Sequence, residues 1–590
     1  MERMKRTATC GELNRNHLAE KVTINGWVHR HRDHGNIKFI NLRDRYGITQ
    51  VVIDADATPV LKNTASELKF EYCIAVQGEV RSRPDNMVNP SMQTGEIEVK
   101  AEKIQILSTC AALPFMIDER TEAREDLRLQ YRYLDLRSFS MQKNIRLRHE
   151  VALGVREYLI GRGFMEIETP TLIRSTPEGA RDFLVPSRLY SGKFYALPQS
   201  PQLYKQLLMV SGFDKYFQIA HCFRDEDARG DRQIEHTQID LEMSFVSKED
   251  IFEVIEGMLQ HIFRKTLNKE LKVPFPRLSY DQAMDRYGSD KPDLRFDLEI
   301  KELSSLLAQG DFQLFKDVVA AGGVVKALLA PGCSGLSRKE ISRLEETAKI
   351  FKAKGLAWMK VTEGGLEGGI SRFYGDLSEA IITETGAAAG DLLLFVGDTR
   401  KTACTSLGAV RNELAAKLKL YDEKDFNFAW IIDFPLFEWS EEEKRWEPTH
   451  HMFSMPQEQC LDTLEEDPGR VKGDLYDLVC NGVELASGSI RIHDPELQKR
   501  IFNIIGLSLE EAGRRFGFLL EAFKHGPPPH GGIAPGLDRL VMLMAGESTI
   551  REVITFPKNT LGLSPMDDCP SSVGREQLEE LHLKITKSAP

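Results

Sequence analysis

Two stretches of this 590-residue chain concentrate groups that could do chemistry. The first is Arg224-Asp225-Glu226-Asp227-Ala228-Arg229-Gly230-Asp231-Arg232-Gln233, followed by Glu235-His236-Thr237-Gln238-Ile239-Asp240-Leu241-Glu242. Its opening part reads as a charged turn, and its second part alternates polar and apolar residues like a strand, so the whole is expected to be a hairpin with cations at its root. An arbitrary charge run is most often a solvated loop. Here, however, Gln238, Asp240 and Glu242 share one face of a period-2 strand, where a buried sheet would take apolar groups. The second stretch runs from His525-Gly526-Pro527-Pro528-Pro529-His530-Gly531-Gly532 to Gly536-Leu537-Asp538-Arg539. Its glycines allow close backbone approach to a ligand, and a helix starting near Leu537 places Arg539 beside a positive N-terminus, an arrangement suited to an anion. The bland reading is a Gly/Pro loop feeding a core helix. The chain has no G-x-x-x-x-G-K-[ST] loop, no G-x-G-x-x-G after a strand, no H-E-x-x-H and no G-x-S-x-G, so any nucleotide chemistry must use another route.

The elements that must position these groups can be read from pattern. Val22–Val28, Ile37–Leu42, Ile48–Ile53, Tyr72–Val80 and Gly95–Val99 read as five short strands, with turns at His34-Gly35-Asn36 and Arg45-Tyr46-Gly47 and a helix near Val60–Phe70. That order suggests either an OB-type barrel, a fold that often binds single-stranded nucleic acid, or a generic five-stranded barrel. Residues 108–140 are charged and read as a connector with little to bury. A helix is expected over Gln142–Arg162, ending at Gly163. Between about Asp290 and Phe426 the texture changes to Gly- and Ala-rich turns separating helices such as Arg338–Lys352 and Ser406–Leu418. Strand-rich sequence resumes at Phe428-Ala429-Trp430-Ile431-Ile432, so 290–426 reads as an insertion. The tail beyond Phe556 is polar.

Composition bounds the rest. The length corresponds to roughly three to five domains. Hydrophobic residues at 42% and charged residues at 28% are ordinary globular values. Nine cysteines without C-x-x-C spacing disfavour a disulfide scaffold or a Cys-based zinc site and fit a reducing cytoplasm. Neither a secretory signal nor a membrane span is legible, and a cytoplasmic location is expected. A net charge of -12 looks wrong for a nucleic-acid binder, because phosphate affinity comes mostly from Lys and Arg. Charge is not evenly spread, however. Trp27–Gln50 holds Arg30, Arg32, Lys38, Arg43 and Arg45 against only Asp33 and Asp44, with His29, His31 and His34 beside them. No carboxylate or thiol completes a metal set around those histidines, and a turn facing nucleic acid explains them better.

In this order the stretches become recognisable. The chain resembles the class II aminoacyl-tRNA synthetases and, within them, the bacterial-type aspartyl enzymes over essentially its full length. Gly163-Phe164-Met165-Glu166-Ile167-Glu168-Thr169-Pro170 matches motif 1, Phe223-Arg224-Asp225-Glu226 motif 2 and Gly536-Leu537-Asp538-Arg539 motif 3. More specific to the aspartyl enzymes are Thr176-Pro177-Glu178-Gly179-Ala180-Arg181-Asp182, Gln199-Ser200-Pro201-Gln202-Leu203-Tyr204-Lys205-Gln206, Gly288-Ser289-Asp290-Lys291-Pro292-Asp293, His450-His451 and Gly488-Ser489-Ile490-Arg491-Ile492-His493. The resemblance implies a multidomain α+β protein. Its parts would be an OB-type anticodon-binding barrel (1–107), a hinge (108–140), an antiparallel-sheet catalytic domain in two parts (141–289 and 427–556), an inserted α+β domain (290–426) and a C-terminal extension (557–590). It further implies a homodimer through motif 1.

The implied reaction has two steps: L-aspartate and ATP give aspartyl-adenylate, and the aspartyl group then passes to tRNA. No covalent enzyme intermediate is needed, so catalysis rests on positioning and electrostatics. By resemblance Arg224 and Arg539 are the catalytic cations, Arg224 on the α-phosphate and Arg539 on the γ-phosphate and adenine. Asp225, Glu226, Gln233, His236, Glu484, Gly536, Leu537 and Asp538 complete the ATP site. Asp477 and Glu484 match the carboxylates that hold Mg²⁺ on the phosphates, and seven residues across Asn481-Gly482 suit a short hairpin. Aspartate falls to Glu178, Gln202, Lys205, Arg224, Asp240, His450 and Arg491. Lys205 and Arg491 answer its side-chain carboxylate, and Asp240, Gln202 and Glu178 surround its ammonium. Where the family commonly stacks an aromatic on adenine this chain has His236, so weaker or retuned ATP binding is expected.

In the barrel, Arg30, Arg32, His34, Phe39, Gln50 and Asn86 fall at anticodon-contacting positions, Phe39 stacking on a base and Gln50 hydrogen-bonding one. Strictly aspartate-specific bacterial enzymes commonly carry Leu where this chain has His34, and His is similar to the relaxed members that also charge tRNA(Asn). Imidazole offers a donor or an acceptor depending on tautomer. Relaxed relatives often have Gly at the position of Asn86. The reading is therefore a non-discriminating enzyme serving tRNA(Asp) and tRNA(Asn), which implies an amidotransferase that converts the misacylated product. The alternatives are a strictly discriminating aspartyl enzyme, an asparaginyl-tRNA synthetase, and an inactive tRNA-binding paralogue.

Overall fold

The computed structural model describes residues 4–118, 122–176 and 180–586. It divides into two compact units, one built from the first 143 residues with 565–567 and the other from the remainder.

In the first unit, β1 (Lys21–His34), β2 (Ile37–Arg43), β3 (Ile48–Ile53), β4 (Cys73–Ser82) and β5 (Ile97–Ser108) close into a barrel in the order β1-β2-β3-β5-β4, with a helix at Pro59–Glu67 between β3 and β4. Alternate residues such as Ile24, Ile40, Leu42, Val51, Ile53, Val76 and Val99 point inward and fill it, as period-2 patterning requires. Two boundaries differ from the sequence reading. β1 continues to His34, leaving a two-residue turn in which Gly35 adopts φ +74°, and β5 continues to Ser108. The connector also buries more than expected: Asp135 is buried between Arg128 at 2.9 Å and Arg132 at 2.6 Å, within short helices at Glu125–Gln130 and Arg132–Asp135. Charged residues enter an interior when they are paired, and a charge count along the sequence does not reveal pairing.

The second unit is organised around an eight-stranded sheet. Its order is Arg277–Ser279, Phe428–Ile432, Leu475–Cys480, Val483–Ile490, His530–Pro535, Glu235–Ser244, Lys215–Phe223 and Met165–Glu166. It is antiparallel except at its two edge pairs. One face packs on the helices Phe139–Gly161, Lys248–Leu267 and Leu537–Ala545 through Val151, Val155, Ile255, Ile262, Val541 and Trp430. The other face carries a second apolar cluster around Phe434, Phe453, Ile501 and Phe516, and beside it the cavity described below.

Between Arg277–Ser279 and Phe428–Ile432 the chain builds a separate five-stranded sheet, ordered Ile300–Glu302, Val324–Ala330, Leu392–Asp398, Ala357–Thr362 and Gly365–Glu367, with apolar clusters on both faces. Its helices at Arg338–Ile350 and Arg400–Leu418 lie where the sequence pattern predicts them, the second starting earlier. Arg411 of the second helix is buried, and its guanidinium donates to the carbonyls of Leu298, Asp293 and Phe296, each at 2.9 Å.

Candidate active site

The predicted hairpin forms from Lys215–Phe223 and Glu235–Ser244, whose register pairs Asp240 with Gln218 and Glu242 with Tyr216. Residues 224–234 make the connecting loop. A cavity of about 370 Å³ opens against this hairpin and the strand Val483–Ile490, lined by Gln202, Lys205, Arg224, His236, Asp240, His450, Glu484, Arg491 and Arg539 among others. The sequence-predicted residues from six separate stretches of the chain therefore meet in one place.

At the floor, Lys205 comes from the helix Gln202–Val210 and is fully buried. Its Nζ lies 3.0 Å from Asp240 Oδ1 and 3.2 Å from Glu242 Oε2. Arg491 donates through Nε to Glu242 Oε1 at 2.9 Å and through Nη1 to Ser489 Oγ at 2.6 Å. Burial pushes the Asp240 carboxyl up against the pull of Lys205. Burial acts the same way on Glu242, but Arg491 and Lys205 outweigh it and hold that carboxyl down, ionised. Four polar atoms among the predicted residues are buried without a hydrogen-bond partner: Asp240 Oδ2, Gln202 Nε2, Arg224 Nε and His450 Nδ1. Buried polar atoms left open are costly, so an acceptor beside three donor or acceptor groups marks a site shaped for a polar ligand.

Arg539 lies near the start of its helix and pairs with Asp231 at 3.2 Å while donating to the Glu484 carbonyl at 2.9 Å. Burial, then Arg224 and Arg539, push His236 down to about 3, so its ring is neutral and able to stack. Glu226 is exposed and 3.6 Å from Arg232. Gln233 borders the cavity, but its Oε1 accepts from the Lys558 N–H at 2.9 Å. Gly536 bridges to Gln238.

Leu537 and Asp225 of the predicted ATP set do not border the cavity, whereas Asp538 does. The Leu537 side chain is buried in the apolar core beneath the sheet, because the first residue of this amphipathic helix faces inward. Asp538 borders the cavity and also serves as a brace: Oδ2 accepts from the Thr237 N–H at 2.7 Å and Oδ1 pairs with Arg148. Asp225 lies on the loop opposite Arg181, 3.6 Å away, and does not border the cavity. Glu178 lies outside the described residues.

Asp477 and Glu484 occupy the predicted hairpin. Asn481 and Gly482 have φ +53° and +83°, the paired positive angles that a two-residue turn of matching twist requires. A bulge between Leu478 and Val479 shifts the register so that Asp477 opposes Ser487 while Val479 opposes Glu484, putting both carboxylates on one face. His450 Nε2 lies 3.1 Å from Asp477 Oδ1. Burial and the neighbouring Asp477 push the Glu484 carboxyl up, against the pull of Arg539. Among the described residues no group of three or more His, Cys, Asp or Glu side chains is arranged for a metal, so this pair would need phosphate oxygens to complete a coordination shell.

On the barrel, the register Arg32↔Phe39, Arg30↔Asn41 and Asn41↔Gln50 places Arg30, Arg32, His34, Phe39 and Gln50 on one face. The His34 and Phe39 rings meet edge-on at 5.7 Å. Gln50 is buried, donating to Glu98 at 2.9 Å, and Asn86 is exposed in the β4–β5 connection. Two of the counted cations are not free: Arg43 is buried, its Nη2 donating to both carboxylate oxygens of Glu71 at 2.8 Å, and Lys38 pairs with Asp33.

Sequence reasoning did not assign Glu242 or Ser489 to the site. The period-2 face pointed to Glu242, but nothing in the sequence shows that it reaches both cations.

A family model described as tRNA synthetases class II (D, K and N) matches residues 124–560, and one for an OB-fold nucleic acid binding domain matches residues 22–107. The aspartate–tRNA(Asp/Asn) ligase of Treponema denticola is 63% identical over 588 residues, covering 99% of this chain and 100% of that one. The protein of the same name from Moorella thermoacetica is 53% identical over 585 residues, covering 99% and 97%. Among solved structures, asparaginyl-tRNA synthetase from Pyrococcus horikoshii with asparaginyl-adenylate aligns with a TM-score of 0.60 at 19% identity, covering 94% of this chain and 98% of that one. Aspartyl tRNA synthetase from Entamoeba histolytica aligns with 0.57 at 20%, covering 95% and 93%; both likenesses speak to fold. A barrel, an antiparallel sheet with its cations gathered on one cavity, and relatives of this identity along the whole length leave one conclusion: the chain belongs to the class II tRNA synthetases of the D, K and N group.

Proposed function

We propose that the protein is an aspartate–tRNA ligase that activates L-aspartate with ATP and charges both tRNA(Asp) and tRNA(Asn). The observation that carries the amino-acid assignment is the buried pair Lys205 and Arg491 at the cavity floor, with Asp240 alongside. Two cations suit the side-chain carboxylate, and the open Oδ2 of Asp240 suits the ammonium. Asparagine, nearly the same shape, would leave the cations underpaired, and sites matched this way discriminate by about 10⁴-fold or more.

In the first step an aspartate α-carboxylate oxygen attacks the α-phosphorus and pyrophosphate leaves with the bonding electrons. Arg224, whose Nε has no protein partner, answers the charge on the α-phosphoryl group, and Arg539 answers the phosphates further along. Neutral His236, between these arginines, gives adenine a flat surface without adding a third charge. In the second step a hydroxyl of the terminal tRNA ribose attacks the activated carbonyl, loses its proton, and AMP departs. Asp477 and Glu484 would hold Mg²⁺ together with phosphate oxygens, and the ion would neutralise charge on the leaving pyrophosphate.

The relaxed tRNA choice rests on His34 beside Phe39 on the basic face of the barrel, and on the names of the relatives. Charging tRNA(Asn) with aspartate calls for a downstream amidotransferase. We place the protein in the cytoplasm as a homodimer; among the described residues no helix is long and apolar enough to cross a membrane, and all nine cysteines are free. The amino-acid assignment is tested by ATP–pyrophosphate exchange on the purified protein: aspartate should support it and asparagine should not. Exchange with asparagine would point to the asparaginyl alternative.

A further inference from the structure

Glu242 does not border the cavity, yet it touches both cations that do, Lys205 at 3.2 Å and Arg491 at 2.9 Å. Arg491 carries five N–H donors. Nε and Nη2 turn to the two oxygens of Glu242, at 2.9 and 3.4 Å, and one N–H of Nη1 turns to Ser489 Oγ at 2.6 Å. One N–H on each terminal nitrogen is left over, a fork that fits a single carboxylate. The sheet makes room for this arrangement. Glu242 sits opposite Gly532, where a Cβ would lie 2.0 Å from Glu242 Oε2, so only glycine lets the carboxylate lie across the neighbouring strand. Charge counting agrees. Lys205 and Arg491 supply two positive charges and Glu242 removes one, while Asp240 answers the substrate ammonium.

We infer that Glu242 is the positioning residue that sets side-chain selectivity, aiming the Arg491 fork and trimming the pocket to one surplus positive charge, so that a carboxylate completes it and an amide does not. This rests on the function proposed above and deepens it. A glutamine at 242 would offer one acceptor and turn its amide N–H₂ toward the guanidinium, so the fork should lose its aim.

The test measures exchange kinetics for wild type, Glu242→Gln and Ser489→Ala, with aspartate, asparagine and ATP each varied. For Glu242→Gln, kcat/KM for aspartate should fall about 100-fold, chiefly through KM, and preference over asparagine at least about tenfold, while KM for ATP stays within about twofold. Ser489→Ala loosens the fork from the other side and should raise the aspartate KM about tenfold with ATP unaffected. A folded Glu242→Gln protein with unchanged preference, or one whose aspartate and ATP parameters fall together, would overturn the inference. If Glu242→Gln fails to fold, Ser489→Ala decides, and an unchanged aspartate KM overturns it. Absence of aspartate-dependent exchange in the wild type would overturn the function itself and this inference with it.

Discussion

At the residue scale the site works by placing charges where a ligand must answer them. Lys205, Arg491 and Asp240 could be named from the sequence because the motifs around them are specific. Leu537 and Asp538 show what a motif string leaves out: it does not say that the Leu537 side chain packs into the core or that Asp538, at the cavity, also braces the Thr237 N–H. His236 gives a pH prediction. Its pKa falls from 6.5 to about 3 on folding, so between these values the unfolded chain binds more protons than the folded one. Stability should therefore be lost as pH falls through that window, by at most about 1.4 kcal/mol per pH unit from this group, and less because it is half-buried. Denaturant titrations of wild type and His236→Phe between pH 6.5 and 4 should show a shallower decline in the variant, along with a lower KM for ATP. Equal slopes would mean that His236 is not held neutral.

At the element scale, strand patterning was legible wherever one face was buried, as in the barrel and the strands flanking residues 224–234. It failed in the connector, where the buried Arg132 and Asp135 and the partly buried Arg128 mimic a solvated charge run, and at the far end of β1, whose Arg30, Arg32 and His34 carry no apolar alternation. The short strand Met165–Glu166 closes one edge of the large sheet and pairs on one side only. Met165 in it, and Ile160 and Leu172 close to it in sequence, are all more than half exposed. An open edge beside apolar side chains is a surface that natural proteins cover, and the homodimer proposed above would supply a second copy as the cover. The wild-type protein should sediment as a dimer and Met165→Asp as a monomer or a weakened dimer; a monomeric wild type would refute the assignment.

At the scale of the whole molecule, the net charge of -12 argued against RNA and misled, because an average hides a face. Arg30 and Arg32 stand exposed on one side of the barrel, while Arg43 and Lys38 are consumed by Glu71 and Asp33. The basic face is thus narrower than a count of lysines and arginines suggests, with fewer cations to hold tRNA by phosphate contacts alone. On the function proposed above, selection between tRNA species would lean on base contacts, with His34 and Phe39, whose rings meet, as the proposed centre. The central claim, one amino acid delivered to two tRNAs, is tested most directly by charging purified tRNA(Asp) and tRNA(Asn) with labelled aspartate under identical conditions. Comparable aspartylation of both is predicted, and aspartylation of tRNA(Asp) with none of tRNA(Asn) would contradict it.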